Sequence, residues 1–517
     1  MGLLASAAIY LYGLDRVPAY LTLDEAHFAV HAQSIAETGR NLNGQLLPPL
    51  VSLEDPEGEP FTLPWGTTYY LPFGMYLIAA TLEVLPLTVT TVRAPMALLG
   101  GVINVALIFF VALALFRNRV AAAGAAFVLA LSPANVISSR QAIDSVCQPP
   151  FVLGALWCLA AFLRTPDPKL ALAGGVILGC GIYAYVTSIV FMPFYLALFW
   201  LIAWRAGVLE RRAVLLSLAG FIAAILPMAL WLASHPDAAR SLQLQYNRAD
   251  PGSTTLMQAL GGGGGAALSN TLHIYWSYFD PTFLFIQGGN ARNLSTGRDG
   301  VFLIPVAVLA LIGCYAMRRD RLLQMLLVIG LLVSPIPAVI KGTPYAIQRA
   351  SGLLIYISLF AGAGFAALSI SKKTIARATA ALIALVMAWQ FSGFYREYHT
   401  TYRSASARAF DPTAFRESAD VLIEHDRTSG ADAIFLPLNY YDVSAKWRFY
   451  TSSRDRRELL KRTRYYADAS ALLSAPANSL ALMPMIDVMP KAPEGWSVVD
   501  VVKDLNGDPS SVIIRRP

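Results

Sequence analysis

Charge is scarce in this chain: only 14% of its 517 residues are Asp, Glu, Lys or Arg, while 56% are hydrophobic. Soluble domains carry about 25% charged residues, so a water-soluble globular enzyme of this size is excluded. Cysteine is almost as sparse. Of the four, Cys158, Cys180 and Cys314 fall inside apolar runs and Cys147 at the edge of one, which leaves neither a disulfide framework nor a zinc-ligand spacing. Despite a formal net charge of +7, no basic stripe interleaved with aromatics occurs, so no nucleic-acid partner is expected. Solenoid-type repeats are missing. Met1–Leu14 has neither a basic leader nor a small-residue cleavage site, and a cleavable signal peptide is not expected.

Long uncharged runs are what the chain does have. Its mean hydropathy is +0.51, and segments able to cross a hydrocarbon core of about 30 Å recur up to Tyr395. They are Ala94–Phe116, Val120–Ser139, Ser145–Leu163, Ala213–Ser234, Val301–Met317, Leu322–Ile340, Ala350–Ser371 and Ala378–Tyr395. Leu170–Trp204 is too long for one crossing at about 1.5 Å per residue and fits two helices joined by a tight turn. Short basic connectors separate these runs at Arg117/Arg119, Arg164/Lys169, Arg205/Arg211/Arg212, Arg318/Arg319/Arg321 and Lys372/Lys373/Arg377. Positive residues in short loops mark the cytoplasmic side. With Met1–Leu14 as a short first span, parity then gives about eleven transmembrane helices, the N-terminus inside and the tail outside.

The external segments are roughly 15–90, 134–147, 233–300 and 341–349, together with the tail from 397. GTTYYLPFGMYLIAATLEVLP looks apolar enough to cross, but counting it would put Arg117 outside, so it reads as an interfacial helix. The five-glycine run Gly261–Gly265 reads as a hinge, because no Lys-Ser/Thr follows it. In the tail, charged helical stretches alternate with strand-like AIFLP and SVVDVV and end in a hairpin near Asn506–Gly507. The fold class is therefore an all-α polytopic membrane domain (1–396) followed by a small external α/β domain (397–517).

The polar residues on the external face are few and grouped. Asp24 and Glu25 stand together in LTLDEAHFAV, Asp144 follows Arg140 by four residues in SRQAIDSV, and Lys341 and Arg349 flank another external turn. Ionisable groups at bilayer edges are expensive and mark functional sites more often than random surface charges do. A carboxylate at a helix start also serves as a cap, and single cations also anchor headgroups. Trp65, Tyr69, Tyr70 and Tyr345 could stack on sugar faces, and an aromatic belt at the interface explains such residues equally well. His27 and His273 read as structural hydrogen-bonding residues; a lone histidine makes no metal site.

These motifs resemble the GT-C membrane glycosyltransferases, above all the protein O-mannosyltransferases and the lipid A aminoarabinose transferases. DEAHFAVHA is similar to the Asp-Glu-x-His-Phe start of the former and YYLPFGMYL to their aromatic-proline segment; Arg93 and the SR…D turn fit the same pattern. YFDPTFLFIQGGNARNLSTG and SPIPAVIKGTPYAIQRA are similar to segments of bacterial relatives. The resemblance implies a sugar on a polyprenyl phosphate as donor, a lipid, glycan or protein hydroxyl as acceptor, and an active site on the periplasmic face of a bacterial-type inner membrane. Asp24 would be the base of an inverting displacement, with Glu25 and Asp144 as further site carboxylates and Arg140, Arg349 and Lys341 as phosphate partners. Gly289, Asn293 and Tyr345 stand where an acidic residue and two histidines are usual, so no metal is assigned; no cofactor is required, and a divalent cation lacks support. A flippase of lipid-linked saccharides is the main alternative, but no duplicated halves or broken midplane helices are evident. An oligosaccharyltransferase-like enzyme is the other, and no WWD-type motif is found.

Overall fold

The computed structural model describes residues 2–54, 67–247, 255–256, 264–440, 442–485 and 491–517. Trp65 and Gly261–Gly263 lie outside the described residues. Seven helices among those described are long and apolar enough to span a membrane: Val89–Phe116, Asp144–Phe162, Ser188–Arg205, Arg211–Ser234, Arg321–Lys341, Gly352–Ser369 and Thr374–His399. An eighth span is broken. The run expected over Val120–Ser139 divides into Arg119–Ala130 and Pro133–Ser139, bent by 59°, because Pro133 opens the second helix and the Ser132 hydroxyl caps it.

Three helices of the expected set of about eleven are short: Gly2–Leu11 (α1), Pro168–Gly181 and Pro305–Ala316. At about 1.5 Å per residue none covers a core of about 30 Å alone. The uncharged stretch Leu170–Trp204 does hold two helices, broken at 182–187. The apolar segment after Tyr70 forms only the ten-residue α3, Phe73–Leu82.

Helices meet closely where glycines line their contacts. A Cβ on Gly175 would lie 2.0 Å from the Ser217 carbonyl oxygen, and one on Gly313 1.9 Å from that of Phe360. Small residues permit this approach where helix association cannot draw on the hydrophobic effect. Basic connectors gather at one end: Arg117 and Arg164 line a single cavity of about 400 Å³ with Asp320.

At the other end lie α2 (Leu23–Thr38), α3 and a two-stranded ribbon of β1 (Val51–Ser52) and β2 (Tyr69–Tyr70). Beyond Thr374–His399 the chain builds a five-stranded sheet in the order β4-β3-β5-β7-β6. Its strands are β3 (Ala433–Pro437), β4 (Thr463–Tyr466), β5 (Ser479–Pro484), β6 (Ser497–Lys503) and β7 (Pro509–Arg516). β3 runs parallel to β4 and β5, while β7 is antiparallel to β5 and β6. Gly507 turns the β6–β7 hairpin with φ of 85°.

Strand alternation splits the sheet's apolar residues between two faces. Ala433, Phe435, Ala481 and Met483 form a core on one side. Ile434, Leu436, Leu480 and Leu482 face the helices Phe415–Ser429 and Val443–Ser452 in a core that continues into Ala26, Phe28 and Val30 of α2 and Met75 of α3. The C-terminal sheet and α2 thus share one hydrophobic interior.

Candidate active site

Two buried arginines fix the loop that presents Asp24. All five guanidinium donors of Arg93 are engaged: Nη1 with the carbonyls of Leu14 (2.9 Å) and Pro18 (2.7 Å), Nη2 with that of Tyr20 (2.7 Å) and with Glu25 Oε2 (3.1 Å), and Nε with Glu25 Oε1 (2.7 Å). Arg140, wholly buried, donates to the carbonyls of Ile9, Tyr10, Gly13 and Val17 at 2.9–3.3 Å. These include carbonyls that the end of α1 leaves without helical partners. Arg140 was expected among the phosphate ligands; its four carbonyl contacts place it in the scaffold instead.

Glu25 also departs from expectation. Thr22 and Glu25 close a capping box at the start of α2, a reciprocal pair that satisfies two exposed amides. Glu25 Oε2 accepts the Thr22 amide at 2.9 Å and Oε1 the Ala142 amide at 2.9 Å, besides the two bonds from Arg93. With each oxygen accepting two bonds and the side chain buried, no lone pair is left for a substrate. Glu25 is therefore a structural carboxylate.

Asp24, one residue earlier, is only half-buried. Its Oδ1 accepts a 2.5 Å bond from the Tyr70 hydroxyl, and Tyr70 is steadied by an edge contact with Phe28, ring centres 5.3 Å apart. Burial raises the Asp24 pKa; the Tyr70 hydrogen bond and the charge of His27 work against that, while Asp442 and Glu25 add to it. Asp144 opens a one-turn 3₁₀ helix, Asp144–Cys147, and is buried. The charges of both Asp24 and Arg349 act on it. Arg349 ends the 3₁₀ turn Ile347–Arg349, which packs against the Asp144 turn, and it remains partly exposed. Tyr185, in the break between Pro168–Gly181 and Ser188–Arg205, feels Arg349, Asp144 and Asp24 together. Asp24, Tyr70, Asp144, Arg349 and Tyr185 thus form one cluster.

The other expected residues lie around it. Lys341 Nζ donates to the Gln245 carbonyl at 2.8 Å, joining Arg321–Lys341 to the helix Pro236–Asn247. Tyr69 meets Trp231 edge-on at 6.2 Å. Tyr345 takes a left-handed backbone (φ 56°) and packs on Phe283. Its carbonyl oxygen would lie 2.6 Å from a Cβ on Gly289, so two of the positions that depart from the relatives' pattern adjoin, and a larger residue at 289 would displace the Tyr345 backbone. His273 is exposed. Among the described residues, no three His, Cys, Asp or Glu side chains converge as metal ligands do.

Tyr185 and Asp442 were not anticipated. Tyr185 reads as one more interfacial aromatic, and Asp442 belongs to a domain whose docking no local pattern reveals.

A helical bundle with a bent span, a carboxylate cluster and a small C-terminal sheet is a fold that this chain shares with solved membrane-enzyme structures at low sequence identity. Residues 69–231 match the family described as dolichyl-phosphate-mannose-protein mannosyltransferase. No curated protein matches the sequence. ArnT from Cupriavidus metallidurans in the apo state aligns with a TM-score of 0.58 at 12% identity, covering 99% of this chain and 96% of that one. Its undecaprenyl phosphate-bound form gives 0.54 at 12% identity, covering 99% and 97%. The apo oligosaccharyltransferase of Archaeoglobus fulgidus gives 0.52 at 14% identity, covering 93% of this chain and 69% of that one.

Proposed function

We propose that the protein is an integral membrane glycosyltransferase that moves a single sugar from a polyprenyl-phosphate donor to an acceptor hydroxyl on the external face of the membrane. The observation that carries this reading is the juxtaposition of a partly accessible carboxylate, Asp24, with a buried one, Asp144, and a partly exposed arginine, Arg349. The donor class draws support from the fold shared with an ArnT structure that holds undecaprenyl phosphate.

In the proposed reaction the acceptor oxygen attacks the anomeric carbon while Asp24 takes the hydroxyl proton. A carbon–oxygen bond forms to the acceptor as the bond from the anomeric carbon to the phosphate oxygen breaks. The electron pair leaves with the polyprenyl phosphate, and one displacement inverts the centre. Arg349 meets the developing phosphate charge, since a guanidinium fork matches phosphate oxygens. Tyr70 holds the Asp24 carboxylate in one orientation, and Asp144 fixes Arg349 by opposite charge. Glu25 and Arg93 keep the loop and the start of α2 in place without touching substrate.

The test is a transfer assay with purified protein in detergent, offering radiolabelled polyprenyl-phosphate sugars and a membrane extract as acceptor. Asp24→Asn should insert and fold normally yet lose transfer by at least about a hundredfold, the scale for a positioned base. Equal transfer by variant and wild type would remove Asp24 from the chemistry. Movement of labelled lipid across vesicles without transfer would replace the enzyme by a flippase, and transfer of an intact oligosaccharide to asparagine would replace single-sugar chemistry.

A further inference from the structure

The sheet domain meets the bundle on the helix that carries Asp24. Asp24, His27 and His31 follow one another at spacings of three and four, so they stack along one side of α2. That helix packs against Val443–Ser452 of the C-terminal domain. His27 Nε2 lies 3.3 Å from Asp442 Oδ1, with the two side chains 2% and 1% exposed.

Asp442 occupies an unusual position. It is the N-cap of Val443–Ser452, in left-handed backbone with φ of 51°. An aspartate there ordinarily accepts a bond from an amide of the first turn, yet among the described residues Asp442 makes no capping bond and neither of its oxygens accepts a hydrogen bond. Burying a carboxylate this way is costly unless a counter-charge meets it, and among the described residues the imidazole of His27 lies within reach. The approach is held from several sides. Arg457 forms a bidentate ion pair with Glu37 at the far end of α2, Arg416 donates to the Ala19 carbonyl at 2.8 Å, and the Leu505 amide donates to the Tyr20 hydroxyl at 3.0 Å.

We propose that the C-terminal domain completes the reaction centre: Asp442 holds His27 as an imidazolium one helical turn from Asp24, and the pair keeps the base ionised. The inference rests on the assignment of Asp24 as the base. Asp442 touches no reacting atom and acts through His27, which makes it a positioning residue. The charged and titratable groups around Asp24 are Glu25 and His27 on α2, Tyr70 on β2, Asp144 and Arg349 on their 3₁₀ turns, Tyr185, and Asp442. Of these, His27 favours the Asp24 anion and Asp442 opposes it.

Infrared titration of the full chain reads this charge directly, through the protonated-carboxyl band that disappears in Asp24→Asn. His27→Gln leaves Asp442 as a bare anion facing Asp24 and should raise the titration midpoint by about one pH unit. Asp442→Asn leaves His27 without its counter-charge; burial then neutralises the ring, and the midpoint should rise by less, because the opposing anion has gone as well. The double variant should match Asp442→Asn. Asparagine accepts left-handed backbone, so Asp442→Asn keeps the local fold, and His27→Gln tests the same pair from the bundle side. The acid limb of kcat/KM for transfer should follow the same order. Midpoints that coincide in wild type, His27→Gln and Asp442→Asn overturn the proposal and give the pair a packing role, whatever the rates do. Midpoints that shift as stated in a protein that transfers no sugar from any donor would leave the pair standing and remove the glycosyltransferase reading.

Discussion

Adjacent residues can have opposite fates, and Asp24 and Glu25 show why. Glu25 has four hydrogen-bond donors on its two oxygens, whereas Asp24 accepts a bond from Tyr70 and keeps access to the surface. Because burial raises the Asp24 pKa, its ionised form is disfavoured in the fold. Stability is lost as pH rises from the ordinary carboxylate range through that raised value. Asp24→Asn should therefore melt no lower than wild type at neutral pH while losing transfer. His31 makes the reverse case. Its ring is wholly buried with neither nitrogen hydrogen-bonded among the described residues, and desolvation first, then the charges of His27 and Arg448, hold its pKa down at about 3. The unfolded chain takes up a proton below about pH 6.5 and the folded one does not, so each pH unit below that costs about 1.4 kcal/mol. His31→Leu should abolish this loss, measured as the gap in melting temperature between pH 7 and pH 5. Motif and isolation singled out Asp24 in the sequence. Arg140 was misread because a guanidinium suits backbone carbonyls as well as phosphate, and sequence does not say which of them it meets. Asp442 lies 415 positions from His27, beyond any local pattern.

Among elements, length and charge carried the most information. Uncharged runs between basic connectors anticipated six of the seven long helices directly and the seventh as half of Leu170–Trp204. Bends and short helices escaped, since apolar composition measures solubility in lipid rather than straightness; the Pro133 break is an example. Packing between spans is open to a paired test. Gly175→Ala gains about 1 kcal/mol of helix propensity, but its Cβ would lie 2.0 Å from the Ser217 carbonyl oxygen, and backbone cannot yield as a side chain does. Overpacking of about 1–3 kcal/mol should win, lowering the melting temperature. Gly393, in the interior of Thr374–His399 with nothing within 4 Å of a Cβ, has only the gain, so Gly393→Ala should raise it.

At the scale of the molecule, the bundle and the sheet domain share an interior instead of merely touching. Ala26, Phe28 and Val30 belong to the same core as Trp447, Leu480 and Ile513. Truncation after Thr400 would uncover that face and leave His27 and Glu37 without Asp442 and Arg457. The shortened chain should elute from size exclusion as aggregates or lose transfer completely. A monodisperse, active truncation would show that the bundle alone suffices. The loop before α2 has a different kind of independence. Arg93 and Arg140 grip it through the oxygens of Ile9, Tyr10, Gly13, Leu14, Val17, Pro18 and Tyr20, atoms that every amino acid supplies alike. Its path is thus held largely by two distant residues, so its exposed letters, Asp15 and Arg16, could be rewritten in an engineered variant without moving Asp24.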